Sequence, residues 1–101
     1  MIANLSFFLE FKLIIMKLLN IFESEEINNE KVMVSLDSEK FNGLIRANDT
    51  AGYIIDCLKN DTSENELIIN MVKKYGITEE RASLGVSSIL KQLRELGLII
   101  E

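Results

Sequence analysis

From Phe22 onward, the hydrophobic pattern of this 101-residue chain changes its period once, near residue 48. Before that point, apolar and polar residues alternate in short runs, which is typical of strands in a half-exposed sheet. After it, apolar residues recur every three or four positions in three successive segments, as on one face of a helix. A chain of this length forms one domain. The order of the patterns therefore predicts an α+β fold in which a three-stranded antiparallel sheet precedes three helices.

The predicted strands cover residues 22–27, 31–36 and 41–47. Asn28 and Asn29 tolerate positive φ and predict a tight hairpin between the first two strands. In the second strand two sets of side chains alternate, so one face of that strand is expected to be buried. The two sets are Val32, Val34 and Leu36, and Lys31, Met33 and Ser35.

Each helical segment begins with a residue that can cap a helix N-terminus. These N-cap residues are Asn48 or Asp49, then Ser63, then Thr78. Glu66 completes a capping box with Ser63, and Gly76 and Gly97 are expected to end the second and third helices. The tight turn over residues 75–78 makes the predicted fold a winged helix-turn-helix.

The charge and the rare residues exclude several classes of function. The net charge of −5 has the wrong sign for a protein that binds by neutralising phosphates. One Cys and no His leave no intrachain disulfide, no Cys/His zinc site and no His-based catalysis. Cys57 is expected in the core. We therefore expect a cytoplasmic protein without enzymatic activity, metal or cofactor.

The first 22 residues are strongly apolar, but Glu10, Lys12 and Lys17 interrupt them. A membrane span or a signal peptide is therefore not expected. We expect residues 1–15 to be an extension outside the functional domain, which would then cover residues 16–101. Additional core packing or self-association, such as a homodimer, are the alternatives for this segment.

Three strings of the sequence resemble the PqqD family, whose members are also called precursor-peptide recognition elements. The first string, residues 41–45, reads Phe-Asn-Gly-Leu-Ile, and the second, residues 48–54, is similar to the family's first helix start. The third string, residues 93–99, resembles the family's C-terminal end. Ala51 and Gly52 stand in swapped order relative to the family pattern.

The resemblance implies a non-catalytic protein that binds the leader segment of a ribosomally made precursor peptide. Such proteins present the leader to a modifying enzyme, often a radical S-adenosylmethionine enzyme. In the family the leader lies as an extra strand beside the third strand, in a groove closed by the third helix. The residues implied here are Phe41, Asn42, Gly43, Leu44, Ile45, Arg46 and Ala47, and on the helix Arg81, Gly85, Ser88 and Gln92.

Other interpretations of these residues are open at this point. Phe41 and Ile45 could pack in the core rather than contact a peptide, and Arg46 could be an exposed side chain without a partner. A winged helix also binds DNA through its last helix. In that helix, however, acidic residues balance the basic ones, which argues against DNA binding.

Overall fold

The computed structural model describes residues 14–101, which form three helices, a three-stranded sheet and a two-stranded sheet. Of the predicted extension, residues 1–13 lie outside this described part. The elements are β1 (Lys17–Leu18), β2 (Phe22–Ile27), β3 (Glu30–Ser35), β4 (Leu44–Ala47), α1 (Asp49–Cys57), α2 (Glu64–Tyr75), α3 (Glu79–Glu95) and β5 (Ile99–Ile100). The larger sheet is antiparallel in the order β2-β3-β4 and precedes the helices. The predicted α+β fold is confirmed.

The hairpin between β2 and β3 is as tight as the sequence predicts. Asn28 and Asn29 have φ angles of 53° and 63°, and Ile27 and Glu30 face each other across the turn. Asparagine tolerates this left-handed conformation better than most residues. The two-residue turn therefore sets the register of the first strand pair.

The predicted helix caps are present. Asn48 Oδ1 accepts a hydrogen bond from the Ala51 N–H at 3.0 Å, and the Ser63 and Thr78 side chains cap α2 and α3 in the same way. Gly76 ends α2 in the left-handed conformation with φ 64°. The caps hold α1 directly after β4, so the strand and the helix are joined without a loop.

The second strand has one buried face, as predicted, but the buried side chains are Lys31 and Met33. Met33 is 1% exposed, whereas Val34 is 48% exposed and Leu36 is 69% exposed. The reason is that α1 packs on the Lys31 side and supplies Asp56, whose carboxylate lies 2.9 Å from Lys31 Nζ. An ion pair at the edge of the core thus allows a lysine to face inward.

The third strand is shorter than predicted and begins at Leu44, so Phe41, Asn42 and Gly43 precede it. The Phe41 N–H donates a hydrogen bond to the Asp37 carbonyl at 3.0 Å, which keeps residue 41 in the preceding turn. Gly43 has a φ of 141°, a conformation that other residues rarely adopt. The strand prediction for residues 41–43 was therefore wrong.

Two tyrosines join α1 to α2. The rings of Tyr53 and Tyr75 meet edge to face, with centroids 5.8 Å apart, and both side chains are half-buried as expected. Burial, together with a hydrogen bond to Asp49, raises the pKa of Tyr75 to about 12. These contacts fix the start of α1, and with it the end of β4.

The sequence did not predict the small sheet, in which β1 pairs with β5. Met16 also exchanges backbone hydrogen bonds with Thr62 and is almost fully buried. Residues 16–18 are thereby held against the core and the C-terminal strand.

Cys57 is half-buried and packs against the core, as expected. Within residues 14–101, none of the helices has the length and apolar character that crossing a membrane requires.

Candidate functional site

The larger sheet has two edge strands, β2 and β4. An edge strand offers unpaired backbone N–H and C=O groups that another extended chain can bind. The two edges differ in their ability to accept such a chain. The difference follows from their side chains.

The direction of the backbone groups in β4 follows from its pairing with β3. The Ser35 N–H donates to the Gly43 carbonyl, with 3.3 Å between nitrogen and oxygen. In an antiparallel pair, alternate residues of each strand bond to the neighbour. Ile45 and Ala47, which lie opposite Met33 and Lys31, therefore bond inward to β3.

Leu44 and Arg46 occupy the other positions, so their N–H and C=O groups point away from β3. The pairing on the far side of β3 gives the same alternation, because the Leu36 N–H donates to the Ile21 carbonyl. The residues of β3 that bond to β2 are therefore the ones that do not bond to β4. The open edge of β4 thus presents the backbone of residues 44 and 46.

The β2 edge is protected by charge. Glu23, Glu25 and Glu26 make up half of this strand, and all three are exposed. Charged side chains on an edge strand discourage the addition of further strands. In β4 the only charged residue is Arg46. The β4 edge is therefore the better place for an added strand.

The side chains of β4 divide between two faces. Ala47 is buried and Ile45 is half-buried against the core, whereas Leu44 and Arg46 are exposed on the opposite face. Phe41 also packs against the core, with its ring centroid 5.8 Å from that of Phe22. Core packing is thus the role that the structure shows for Phe41 and Ile45.

Arg46 has a partner within the chain. Its Nε and Nη2 atoms both lie 2.7 Å from Glu30 Oε1, and the side chain leans toward β3 rather than toward the open edge. A surface ion pair of this kind contributes little to stability. It does orient the guanidinium on the exposed face of the sheet.

The flank of α3 that the family resemblance implies lies away from α2. The Ser87 hydroxyl donates to Glu64 of α2 at 3.2 Å, which places the Ser87 flank against α2. Arg81, Gly85, Ser88 and Gln92 lie on the opposite flank by helical spacing. A Cβ atom added at Gly85 would meet nothing within 4 Å. The Gln92 amide donates to Ser88 at 3.3 Å and remains exposed. Contact of these side chains with a peptide remains a prediction.

Sequence reasoning assigned no binding role to Val32 and Val34, which lie with Leu44 on the outside of the sheet; Val34 and Leu44 are exposed and Val32 is half-buried. A signal for them was present. Glu23 and Glu25 alternate on β2, and the register places Val34 and Val32 directly opposite them, on the same face. Two glutamates at alternate positions indicate the solvent side of a strand, and their cross-strand partners share that side.

The described residues 14–101 contain no group of three acidic or cysteine side chains arranged to hold a metal ion. The acidic side chains of β2 instead lie apart along an exposed strand. The features left for binding are the open backbone of β4, the free flank of α3 and the exposed face of the sheet.

Two solved structures have this fold. The structure of TbiB1 in complex with the TbiA(beta) leader peptide is 16% identical in sequence, covers 82% of this chain and 93% of its own, and has a TM-score of 0.67. The structure of lasso peptide synthetase B1 complexed with the leader peptide is 17% identical, covers 85% and 98%, and has a TM-score of 0.66. No curated protein matches the chain significantly.

The sequence also matches the family model described as Coenzyme PQQ synthesis protein D (PqqD) over residues 30–99. This region extends from the start of β3 to the start of β5 and includes β4 and all three helices. The match covers more than half of the chain, and the chain therefore belongs to the PqqD family.

Proposed function

We propose that this protein recognises the leader segment of a ribosomally synthesised precursor peptide by adding it as a fourth strand to the open edge of β4. The observation that carries the proposal is the outward direction of the Leu44 and Arg46 backbone groups in the one edge strand that acidic residues do not protect. Family membership and the two solved structures with bound leader peptides support the same function.

Backbone pairing would supply affinity, and side chains on both faces of the added strand would supply selectivity. Peptide residues opposite Leu44 and Arg46 would exchange hydrogen bonds with them. The Gly85 flank of α3 has open space beside it and is the surface that we assign to the peptide side chains on the helical side. Gly43 precedes the strand and leaves room for the end of the peptide.

The proposal is tested by titrating a fluorescently labelled leader peptide, encoded next to this chain, against two variants at one position. Arg46→Pro removes an N–H that points to the open edge and keeps the ladder with β3 intact. Ile45 precedes it in an extended conformation, which suits a residue before proline. Arg46→Ala is the matched control, because it removes the same side chain and its bond to Glu30 but keeps the N–H.

We expect Arg46→Pro to weaken leader binding about tenfold, because one hydrogen bond is lost and a peptide carbonyl is left without a donor. Arg46→Ala should change affinity less than about threefold. Circular dichroism checks that both variants are folded. Equal affinities of the two variants would refute strand addition at β4, and the absence of leader binding by the wild-type protein would refute the function.

Ile45→Pro, a substitution at the neighbouring position of the same strand, is not suited to this test. The Ile45 N–H bonds to β3, so a proline there would break the sheet itself. A loss of peptide binding in that variant would not distinguish an unfolded edge from a lost contact.

As part of the same proposal, the bound peptide is presented to a modifying enzyme, and the chain itself performs no reaction. The enzyme would be a radical S-adenosylmethionine enzyme or another maturase of precursor peptides, in the cytoplasm. Incubating precursor and enzyme with and without this chain tests the division of roles. Modification by the chain alone would contradict it.

DNA binding has less support. Arg94, one of the basic residues of α3, is bound to Glu101 at 2.6 Å, and Glu79 and Glu80 occupy the first turn of that helix. A helix that enters the major groove needs free positive charge on its reading face. The family match points to peptide recognition instead.

A further inference from the structure

We propose that the outer face of the three-stranded sheet is the surface on which the modifying enzyme docks. The outer face includes Glu23, Glu25, Val32, Val34, Leu44 and Arg46. The surface that fits it has apolar residues surrounded by lysine and arginine. This inference rests on the proposed function, because it takes the modifying enzyme as the partner.

The centre of the outer face is apolar. Val34 and Leu44 lie directly opposite each other, in a pair that makes no ladder hydrogen bonds, which is the closer type of cross-strand pair. Their exposed fractions are 48% and 55%. Val32 is half-buried and adjoins them on β3, so apolar side chains of two adjacent strands form one continuous group. Such groups mark interaction surfaces more often than isolated apolar residues do.

The rim of the outer face is acidic. Glu23 lies opposite Val34 and Glu25 lies opposite Val32, and both carboxylates are exposed. Arg46, the only basic residue of the face, is already paired with Glu30. The charge left for a partner is therefore negative, and a basic surface complements it.

A second copy of this chain does not fit the same surface. In a two-fold symmetric contact the same patch faces itself, so the acidic rim of one copy would meet a surface of the same net negative charge. Like charges brought together in a desolvated contact oppose association. The charge of this face therefore disfavours it as the contact surface of a homodimer.

The outer face also stays accessible when a peptide is bound. A strand added beside β4 lies in the plane of the sheet, roughly 5 Å from β4, and does not cover either face. The peptide side chains opposite Leu44 and Arg46 would point to the outer side and become part of the same surface. An enzyme bound there would contact the recognition protein and the leader together, which explains why an apolar surface is left open next to the peptide edge.

The first test uses a precursor peptide whose leader this chain binds, together with the enzyme that modifies that precursor. Calorimetry measures the affinity of this chain, with the precursor peptide bound, for the modifying enzyme. We expect the double variant Glu23→Lys/Glu25→Lys to bind the enzyme at least tenfold more weakly. The control Glu39→Lys/Asp61→Lys makes the same charge change at exposed positions elsewhere and should stay within twofold of the wild type.

The leader peptide is titrated separately against each variant. The β2 carboxylates lie two strands from the open edge, roughly 10 Å away, where salt screens charges strongly. Leader affinity should therefore change less than twofold. If the leader binds and the enzyme binds both double variants equally, the docking proposal is overturned and the proposed function stands. If no leader binds, the proposed function itself fails.

The second test places a photo-reactive benzophenone side chain at Val34, which is exposed and outside the core. Irradiation in the presence of enzyme and precursor should give a cross-link to the enzyme, at a segment rich in lysine and arginine. A cross-link to a second copy of the chain, or to residues 1–13 of the same chain, would overturn the proposal. The same side chain at Ser38 controls for random collisions.

Discussion

The ion pair between Lys31 and Asp56 gives a prediction in which the two partners are not equivalent. Lys31 is 8% exposed and packs its stem on Gly52, whereas the Asp56 side chain is 43% exposed and also lies 3.2 Å from Lys59 Nζ. Asp56→Ala leaves a buried ammonium without its main partner. Lys31→Met keeps the packed stem, removes the buried charge and leaves Asp56 with Lys59.

Removal of one partner of a fully buried pair costs roughly 3–5 kcal/mol, and this pair is buried on the Lys31 side only, which places it at the low end of that range. Glu26 lies opposite Lys31 across the sheet and can supply part of the lost interaction, so we expect about 3 kcal/mol for Asp56→Ala. Lys31→Met should cost less than about 1 kcal/mol, because an apolar residue of similar length replaces the lysine. The structure thus predicts that substitution of Asp56, the more exposed partner, lowers the free energy of unfolding more than substitution of Lys31 does.

Urea denaturation followed by circular dichroism measures both values. With a slope of about 1.5 kcal/mol per M, a loss of 3 kcal/mol lowers the unfolding midpoint by about 2 M. The Lys31→Met midpoint should fall by less than about 0.7 M. If Lys31→Met is destabilised as much as Asp56→Ala, the attraction within the pair dominates over the cost of an unpaired buried ammonium, and the reasoning is wrong.

Two further predictions concern pH and the flank of α3. Burial raises the pKa of Asp56, but hydrogen bonds from Lys31 and Lys59 outweigh it and hold the pKa below its usual value. The stabilisation is therefore complete above about pH 4 and is lost as the pH falls through the folded-state pKa, so urea titrations should show a smaller acid loss for Asp56→Asn than for the wild type. At Gly85, alanine should stabilise the protein by about 1 kcal/mol, since the space there is open. Gly85→Phe should weaken leader binding about tenfold without loss of stability, and unchanged leader affinity would remove α3 from the site.

Local signals in the sequence were sufficient for the helices and the hairpin. Three residues, Asn48, Ser63 and Thr78, cap their helices because a short polar side chain at this position accepts a hydrogen bond from the backbone N–H three residues further on. Asn28-Asn29 forms the hairpin because both residues tolerate positive φ. These features depend on neighbours a few residues away, and the sequence contains those neighbours.

The features that define the site depend on distant residues and were harder to predict. The alternation of side chains along β3 indicates that the strand has two faces. The face that carries Lys31 becomes the inner one because α1 packs there and places Asp56 beside the lysine. The start of β4 at Leu44 is set by the hydrogen bond that holds Phe41 in the preceding turn. The pairing of β1 with β5 joins residues more than 80 positions apart, and each strand has only two residues.

The register of β4 determines which side chains of a bound leader peptide would lie on each face of the sheet. Leu44 and Arg46 have outward backbone groups and side chains on the outer face, so peptide residues that pair with them through hydrogen bonds also place their side chains on that face. In the proposed complex, the peptide residue between them would lie opposite Ile45 and point to the side on which α1 packs. A leader read by this protein would therefore present one side chain to the helices, flanked by two that face the modifying enzyme. Substitution of the central residue should affect binding to this chain, and substitution of its two neighbours should affect modification more than binding.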